Sequence, residues 1–366
     1  MNPPYHSSRI SLDILLKHIK NSIILVFKIN HKNKNRRKIM NLVDDITVVA
    51  LGIRVSHLVD TIFLTIDETQ QLIDEFHKNS ELSHLFALQF SDTHTFICNK
   101  YLFITKLEEL DLYLYNNDDD DDDDKGDDED DKGVEDDDDK KVNDDDDDDG
   151  FNNLLFVNVS WKENGIPELM NPPSSFKELL KTLKSQVNSQ VNSSPIDNNN
   201  NNNNNIKNPN SINSITYFPQ TPSCIITFTG WILEYSMIYV IDYNYINSIE
   251  NINSVEDMNY ENFKNCLGNQ DLKLVQVFLS SNKSNTKIQR HMLLSFSFPT
   301  NLKPRRRNGS GRRGKRIATI SIELLSTKKL IDNLKSKFND RLKNQDIWNK
   351  EIEIEISDVC LPIIAL

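Results

Sequence analysis

Two segments of the chain repeat their apolar residues at the period of an amphipathic helix. Intervals of three and four residues place these side chains on one face, which favours burial of that face. They are Phe176, Leu179, Leu180, Leu183 and Val187 in the first segment and Leu330, Leu334, Phe338 and Leu342 in the second. A further helix is predicted to begin at Thr65, because Thr65 and Glu68 have the spacing of a capping box.

Other segments have the composition or the alternation of β-strands. Residues 351–356 alternate Glu and Ile without a break, which predicts a strand with one solvated face and one buried face. Runs rich in β-branched and aromatic residues predict further strands at 86–90, 95–98, 154–159, 224–228, 237–243, 272–279 and 292–298. Strands outnumber helices and follow one another, so we expect an α+β fold with a mostly antiparallel sheet and a few packed helices.

Low-complexity segments interrupt this pattern. Residues 118–149 contain 23 Asp and Glu residues against four Lys residues. A block of like charge repels itself and buries no apolar surface, so we expect disorder there. The whole chain has a net charge of −13, and without this block it is net positive. A second segment, rich in Asn around residues 198–205, needs no packed core either.

We therefore predict one domain that two disordered inserts interrupt. Residues 151–187 hold one strand and one helix, which is too little to bury a core alone. The first 40 residues hold nine Lys and Arg residues against one acidic residue, and we expect a poorly ordered extension. The predicted boundaries are 1–40 (extension), 41–117 (first part of the domain), 118–150 (acidic insert), 151–187 (second part), 188–222 (Asn-rich linker) and 223–366 (third part, with a basic loop at 304–316).

Cysteine usage and hydropathy bear on the cellular compartment. The four cysteines lie far apart without a C-x-x-C pair, so we expect reduced thiols in a cytoplasmic or nuclear protein. They are Cys98, Cys224, Cys266 and Cys360. No apolar stretch reaches the roughly 20 residues that span a bilayer. We also find no motif for a metal or a cofactor, and predict neither.

The stretch GSGRRGKR, residues 309–316, is close to a phosphate-binding P-loop. A P-loop requires a strand directly before the glycine turn and a helix directly after it. Here the preceding predicted strand ends near Phe298, and Arg316 occupies the position of the magnesium ligand. The residues that follow are β-branched and favour a strand over a helix. We therefore expect no nucleotide binding at this stretch.

The same region is strongly basic. Seven cations within twelve residues are typical of a solvated loop, with nuclear import or nucleic-acid contact as the alternative. They are Arg305, Arg306, Arg307, Arg312, Arg313, Lys315 and Arg316. No aromatic residues are interleaved with them, so base stacking is not supported.

One His–Asp pair has a spacing suited to acid–base chemistry. His57 and Asp60 are three residues apart, so on a helix they would share a face and could form a hydrogen bond. Such a pair without a visible nucleophile is more often structural than catalytic.

The segment from Gly230 to Tyr235, G-W-I-L-E-Y, begins a series that resembles a known family. N-C-L follows at 265–267, L-L-S-F-S-F-P at 293–299 and L-P-I-I-A-L at 361–366. The series resembles an uncharacterised eukaryotic family named after the vertebrate chromosome 1 open reading frame 74 product. Glu234 stands where that family has glycine, and Ser236 where it has proline. The resemblance implies no activity and no catalytic residue.

The sequence specifies no reaction. The interpretation that we favour is a non-enzymatic interaction module that uses a sheet face or the charged inserts. Its partner is unknown, and a protein is one candidate. One alternative is an enzyme with a site near Tyr235, Asn265 and Cys266, and another is nucleic-acid contact through the basic loop 305–316. A deep pocket lined by Tyr235, Asn265 or His57 would favour an enzyme, and a flat apolar patch would favour a binding module.

Overall fold

A computed structural model describes residues 12–27, 36–118, 154–160, 165–192, 214–241, 265–281, 290–303, 327–343 and 350–360. The helices in these ranges are α1 (Leu12–Val26), α2 (Arg36–Ala50), α3 (Ile66–His77), α4 (Lys100–Asp118), α5 (Ser174–Asn192), α6 (Ile225–Ile232) and α7 (Thr327–Lys343). The strands are β1 (Ser56–Leu58), β2 (Leu85–Phe90), β3 (His94–Asn99), β4 (Leu155–Asn158), β5 (Glu168–Met170), β6 (Ile215–Phe218), β7 (Met237–Val240), β8 (Leu272–Ser281), β9 (His291–Pro299) and β10 (Lys350–Val359).

These strands form three sheets. The first sheet has the order β1-β3-β2-β6, the second β10-β8-β9 and the third β5-β4-β7. Five of the strand pairs are antiparallel, whereas β2 with β6 and β4 with β7 are parallel. The predicted α+β class and its mostly antiparallel pairing are thus confirmed, although the strands divide among three sheets.

Local signals placed several elements correctly. Thr65 caps α3: its side chain accepts a hydrogen bond from the backbone N–H of Glu68, whose carboxylate accepts one from the N–H of Thr65. The predicted strands at 86–90 and 95–98 are β2 and β3, which pair with Phe90 opposite His94. The two helices predicted from apolar spacing are α5 and α7.

The expectation of a poorly ordered extension at 1–40 is wrong for the part that the structure describes. Helix α1 packs against α2 and α3 and buries Leu15, Ile19, Ile23 and Val26. The Nε2 atom of His18 also lies 3.0 Å from the carbonyl oxygen of Glu75 in α3. We based the expectation on the basic residues of this segment and overlooked its apolar residues, which recur about every four positions. These apolar side chains form part of the core.

The strand predicted at 224–228 is also wrong, because residues 225–232 form α6. Six of its eight residues are buried. A helix that is apolar on nearly every side has no polar face, so its sequence lacks the period of an amphipathic helix. The β-branched and aromatic residues Ile225, Thr227 and Phe228 then favour a strand by composition alone.

The predicted Asn-rich linker, 188–222, is shorter at both ends than expected. Helix α5 continues to Asn192, and β6 adds a parallel edge strand to β2 with Leu88 opposite Thr216. Residues 193–213 lie outside the described ranges. So do nearly all of the acidic insert and the basic stretch 305–316 that contains GSGRRGKR.

Two groups of buried apolar side chains form the core. One of them is rich in aromatic rings and holds α6 against the first sheet, with the Phe228 ring 5.2 Å from that of Phe90 and 5.6 Å from that of Trp231. Three of the cysteines, Cys98, Cys224 and Cys266, are buried. None of the helices in the described ranges combines the length and the apolar character needed to cross a membrane.

Candidate functional site: a pocket between the three sheets

A pocket of about 400 Å³ lies where the three sheets meet helix α6. This volume is within the range of small-molecule sites. Every sheet contributes to the lining, and so do α6 and the turn that follows it. The lining residues are Leu58 and His94 (first sheet), Leu274, Ser295, Phe296 and Ser297 (second sheet), Met237 and Tyr239 (third sheet), and Ile225, Ile226, Thr229, Gly230 and Tyr235.

The Tyr235 ring stacks on Phe296, with ring centroids 5.5 Å apart and an angle of 23° between the ring planes. Gly230 brings α6 close to this wall. A Cβ atom at Gly230 would lie 3.4 Å from Cγ2 of Ile238 and 3.7 Å from Cδ2 of Tyr235. The absence of a side chain there therefore keeps space between the helix and the Tyr235 ring.

Tyr239 ties two of the sheets together beneath the pocket. Its hydroxyl donates to the carbonyl oxygen of Ser297 on β9 at 2.6 Å, and its own carbonyl oxygen accepts from the hydroxyl of Thr227 at 3.1 Å. Burial raises the pKa of Tyr239 to about 12, although the bond to Ser297 opposes that shift. The phenol therefore stays protonated and acts as a structural donor.

Three other hydroxyls of the lining form no hydrogen bond with the described residues. Among the described residues, the side chains of Thr229, Tyr235 and Ser295 have no hydrogen-bond partner. They belong to α6, to the turn after it and to β9. Burial raises the pKa of Tyr235, so its phenol is uncharged at neutral pH. These groups can each donate and accept a hydrogen bond.

His94 adds an imidazole to the same pocket. Its Nδ1 atom lies 2.8 Å from the hydroxyl oxygen of Thr93, and burial lowers its pKa. The ring is therefore neutral at neutral pH. With Nδ1 engaged by Thr93, Nε2 is the nitrogen through which this side chain can meet a ligand.

A buried carboxylate lies directly beside the pocket residue Tyr235. The side chain of Glu234 is 1% exposed, and its backbone has a φ of 69°, in the left-handed region. Lys337 Nζ lies 2.6 Å from Oε1, Arg341 contacts both carboxylate oxygens, and the N–H of Val55 donates to Oε2 at 3.0 Å. This turn, where the family resemblance expects glycine, is thus held by ionic contacts with α7.

Two more cations are buried near Glu234. Arg54 is 6% exposed, and its Nε atom has no hydrogen-bond partner among the described residues. Lys106 is 7% exposed with Nζ 5.4 Å from the centroid of the Trp231 ring, and burial, assisted by the charge of Lys337, lowers its pKa to about 7. We call these two residues, together with Glu234, Lys337 and Arg341, the Glu234 cluster.

The cations of the Glu234 cluster keep its carboxylate ionised. Burial alone would raise the pKa of Glu234, but the charges of Arg341 and Lys337 outweigh this effect and hold the pKa well below its usual range. A strained backbone and a perturbed carboxylate are features of functional sites and of structural ion-pair networks alike. Here three protein groups, Lys337, Arg341 and the N–H of Val55, make four contacts with the carboxylate and fix the turn at Glu234 to α7.

His57 does not pair with Asp60 on a helix, because residue 57 lies in β1. Its Nε2 atom is 3.7 Å from Oδ2 of Asp45, and His291 Nε2 is 3.4 Å from Oδ1 of the same carboxylate. Burial lowers the pKa of His57 to about 4. Within the described ranges, no group of three or more His, Cys, Asp or Glu side chains is arranged to hold a metal ion.

The structure separates the three residues of the sequence-based enzyme alternative. Tyr235 lines the pocket, whereas Asn265 and Cys266 do not. Asn265 forms a β-bridge with Ser160, and the N–H of Cys266 donates to the carbonyl oxygen of Val159 at 3.0 Å. These two residues therefore pair with the two residues that follow β4, Val159 and Ser160.

Sequence reasoning missed most of the pocket. Ser295 and Ser297 alternate with the apolar residues of β9, a pattern that is typical of a strand with one solvated face, but both line the pocket. Thr229 and His94 carried no signal, because nothing local to them distinguishes a pocket residue from a surface residue. The sequence does not show which other elements cover the serine face of β9, so the alternation alone did not predict a pocket.

The fold and the pocket together define an α+β protein with a cavity of ligand size between its sheets. Residues 149–366 match a family model described as a domain of unknown function, DUF4504, and the chain belongs to that family. No curated protein and no solved structure matches the chain significantly.

Proposed function

We propose that this protein binds a small molecule in the pocket between the three sheets and acts as a ligand-binding protein. The supporting observation is the combination of about 400 Å³ of space with hydroxyls on three separate elements that lack partners within the described residues. These hydroxyls are half-buried, and a small number of polar groups placed in a mainly apolar pocket is typical of a site that orients a ligand by hydrogen bonds.

We favour a protein that binds its ligand without converting it over an enzyme. The polar groups of the lining are hydroxyls and one imidazole, and no nucleophile with an adjacent general base is arranged among the described residues that line it. This proposal keeps the non-enzymatic binding role expected from the sequence and specifies a small molecule as the binding partner. Tyr235 remains the residue through which an enzymatic alternative would act.

Binding of N-phenyl-1-naphthylamine, an uncharged dye that fluoresces in apolar surroundings, tests the proposal. We expect a saturable rise in emission with one dye per chain. Ser295→Phe fills the pocket and should abolish the signal, whereas Ser357→Phe, the same change at an exposed position of β10, should leave it intact. Absence of saturable binding to the unmodified protein, or equal loss in both variants, would contradict the proposal.

Nucleic-acid contact through the basic stretch stays a second prediction. Its seven cations from Arg305 to Arg316 support phosphate contact by their charge alone. Such binding should weaken steeply as salt rises, and removal of single cations should matter little. A binding curve for double-stranded DNA that is unchanged between low and physiological salt would count against it.

We further propose that the DUF4504 family is the family named after the chromosome 1 open reading frame 74 product. The segments from Gly230 to Tyr235 and at 293–299 support this assignment. Residence in the cytoplasm or the nucleus also stays a prediction. Fluorescence microscopy of the tagged full-length chain tests it, and a signal confined to another organelle would contradict it.

A further inference from the structure

We infer that the ligand of this pocket is an uncharged, mainly apolar molecule that carries one hydroxyl or carbonyl group. The inference rests on the proposed function and specifies the chemistry of the ligand. It follows from the type and the charge of the groups that line the pocket.

No Asp, Glu, Lys or Arg side chain belongs to the lining that the structure describes. A charged ligand group would therefore lose its water without gaining a counter-ion. That loss is far more costly than the transfer of an apolar group. The neutral state of His94 and the protonated phenol of Tyr235 add no charge at neutral pH.

The charge that adjoins Tyr235 in the chain already has partners. Glu234 is contacted by Lys337, Arg341 and the N–H of Val55. Arg54 interacts electrostatically with Tyr235 and does not line the pocket, but its Nε atom has no hydrogen-bond partner among the described residues. An anionic ligand could therefore be stabilised through Arg54, and the experiment below includes this residue.

The unused hydroxyls all belong to the lining of this one pocket. Thr229 lies on α6, Tyr235 in the turn after it and Ser295 on β9. The Tyr235 ring stacks on Phe296, which gives the same lining an apolar aromatic wall. Hydroxyls from three elements thus share one small pocket with this aromatic pair, which suits a ligand that has a hydrogen-bonding group attached to an apolar body.

Three naphthalene derivatives with the same ring system test this inference. Naphthalene, 2-naphthol and 2-naphthoate would each compete with bound N-phenyl-1-naphthylamine at neutral pH, where 2-naphthol is uncharged and 2-naphthoate is an anion. We expect 2-naphthol to bind at least about tenfold more tightly than 2-naphthoate, because the carboxylate has no counter-ion. It should also bind about fivefold more tightly than naphthalene, which lacks the hydroxyl.

Three single substitutions test which side chain causes the preference for 2-naphthol. Tyr235→Phe should remove most of the preference for 2-naphthol over naphthalene and leave naphthalene binding unchanged. Tyr217→Phe, which removes the same hydroxyl from an exposed position on β6, should change neither. Arg54→Gln should leave the ranking of the three compounds as it is.

The possible failures are distinguishable. If the dye itself does not bind to the unmodified protein, the proposed function is wrong. If the dye binds but 2-naphthoate competes as well as 2-naphthol, the inference of an uncharged ligand is wrong. Loss of 2-naphthoate binding in Arg54→Gln would then show that an anion is recognised through Arg54.

Discussion

The carboxylate of Glu234 and the guanidinium of Arg341 form a two-point ion pair across 107 positions of the chain. Arg341 Nη2 lies 2.8 Å from Oε1 and Nη1 lies 3.0 Å from Oε2. Nη1 also donates to the carbonyl oxygen of Ile53 at 2.9 Å. The pair therefore joins α7 to the turn that presents Tyr235 and to the segment before β1, and both Tyr235 and Leu58 of β1 line the pocket.

Loss of this ion pair should destabilise the fold strongly. Arg341→Gln leaves the carboxylate of Glu234 buried with one partner fewer, and breaking a buried pair typically costs about 3–5 kcal/mol. Lys343→Gln, which removes the exposed pair of Lys343 with Asp340, should change the stability far less, because water screens this pair. Urea unfolding followed by tryptophan fluorescence measures both. Equal losses would show that the Glu234 contacts contribute no more than a surface pair.

The backbone at Glu234 should favour glycine over alanine. Its φ of 69° lies in the left-handed region, which disfavours any residue with a Cβ atom by about 1–2 kcal/mol. Glu234→Gly and Glu234→Ala both remove the carboxylate, so their difference reports the backbone alone. We expect the glycine variant to be the more stable by about 1 kcal/mol. A more stable alanine variant would mean that this turn has a different conformation.

Sequence reasoning correctly predicted those elements whose conformation is determined by residues close together in the chain. The capping box of Thr65 and Glu68, the stripe of α7 and the alternation of β10 are complete within one element. Their period is fixed by the geometry of a helix or a strand and needs no information from the rest of the chain. These predictions are confirmed for that reason.

The parts that were missed depend on residues far apart in the chain. Helix α6 is buried on nearly all sides, so its environment and not its period decides its conformation. The pocket joins Leu58, Tyr235 and Ser295, which come together only when the three sheets pack. Glu234 illustrates the same point: the resemblance placed glycine at this position, which suits the positive φ found there, but nothing local predicted the cations that contact its carboxylate.

Protonation of His57 should weaken the fold in mildly acidic solution. Burial lowers the pKa of His57 from 6.5 to about 4, with Asp45, Arg54 and His291 as its charged neighbours. Between these two values the unfolded chain binds a proton that the folded chain does not. Stability is therefore lost as the pH falls from 6.5 towards 4, by about 2–3 kcal/mol from this residue.

The measurement is the free energy of unfolding as a function of pH, for the unmodified protein and for His57→Gln. The variant has no titrating group at this position, so its stability should fall less steeply between pH 6.5 and 4. Titrating groups that do not interact with His57, including Glu234, contribute equally to both proteins, whereas Asp45 and His291 are coupled to His57 and belong to its effect. Parallel curves would mean that His57 is solvated in the folded state.

The two faces of β10 should differ in their effect on stability. Ile352 is 5% exposed and pairs with Leu279 of β8, so Ile352→Ala removes packed methyl groups and should cost about 2–5 kcal/mol. Ile354 is half-buried, and its replacement by Ala should cost less. Glu353 lies on the other face in an exposed ion pair with Arg290 at 3.1 Å, so Glu353→Ala should cost less than about 1 kcal/mol. Urea unfolding gives all three values, and a loss in Glu353→Ala that equals the loss in Ile352→Ala would contradict the assignment of the buried face.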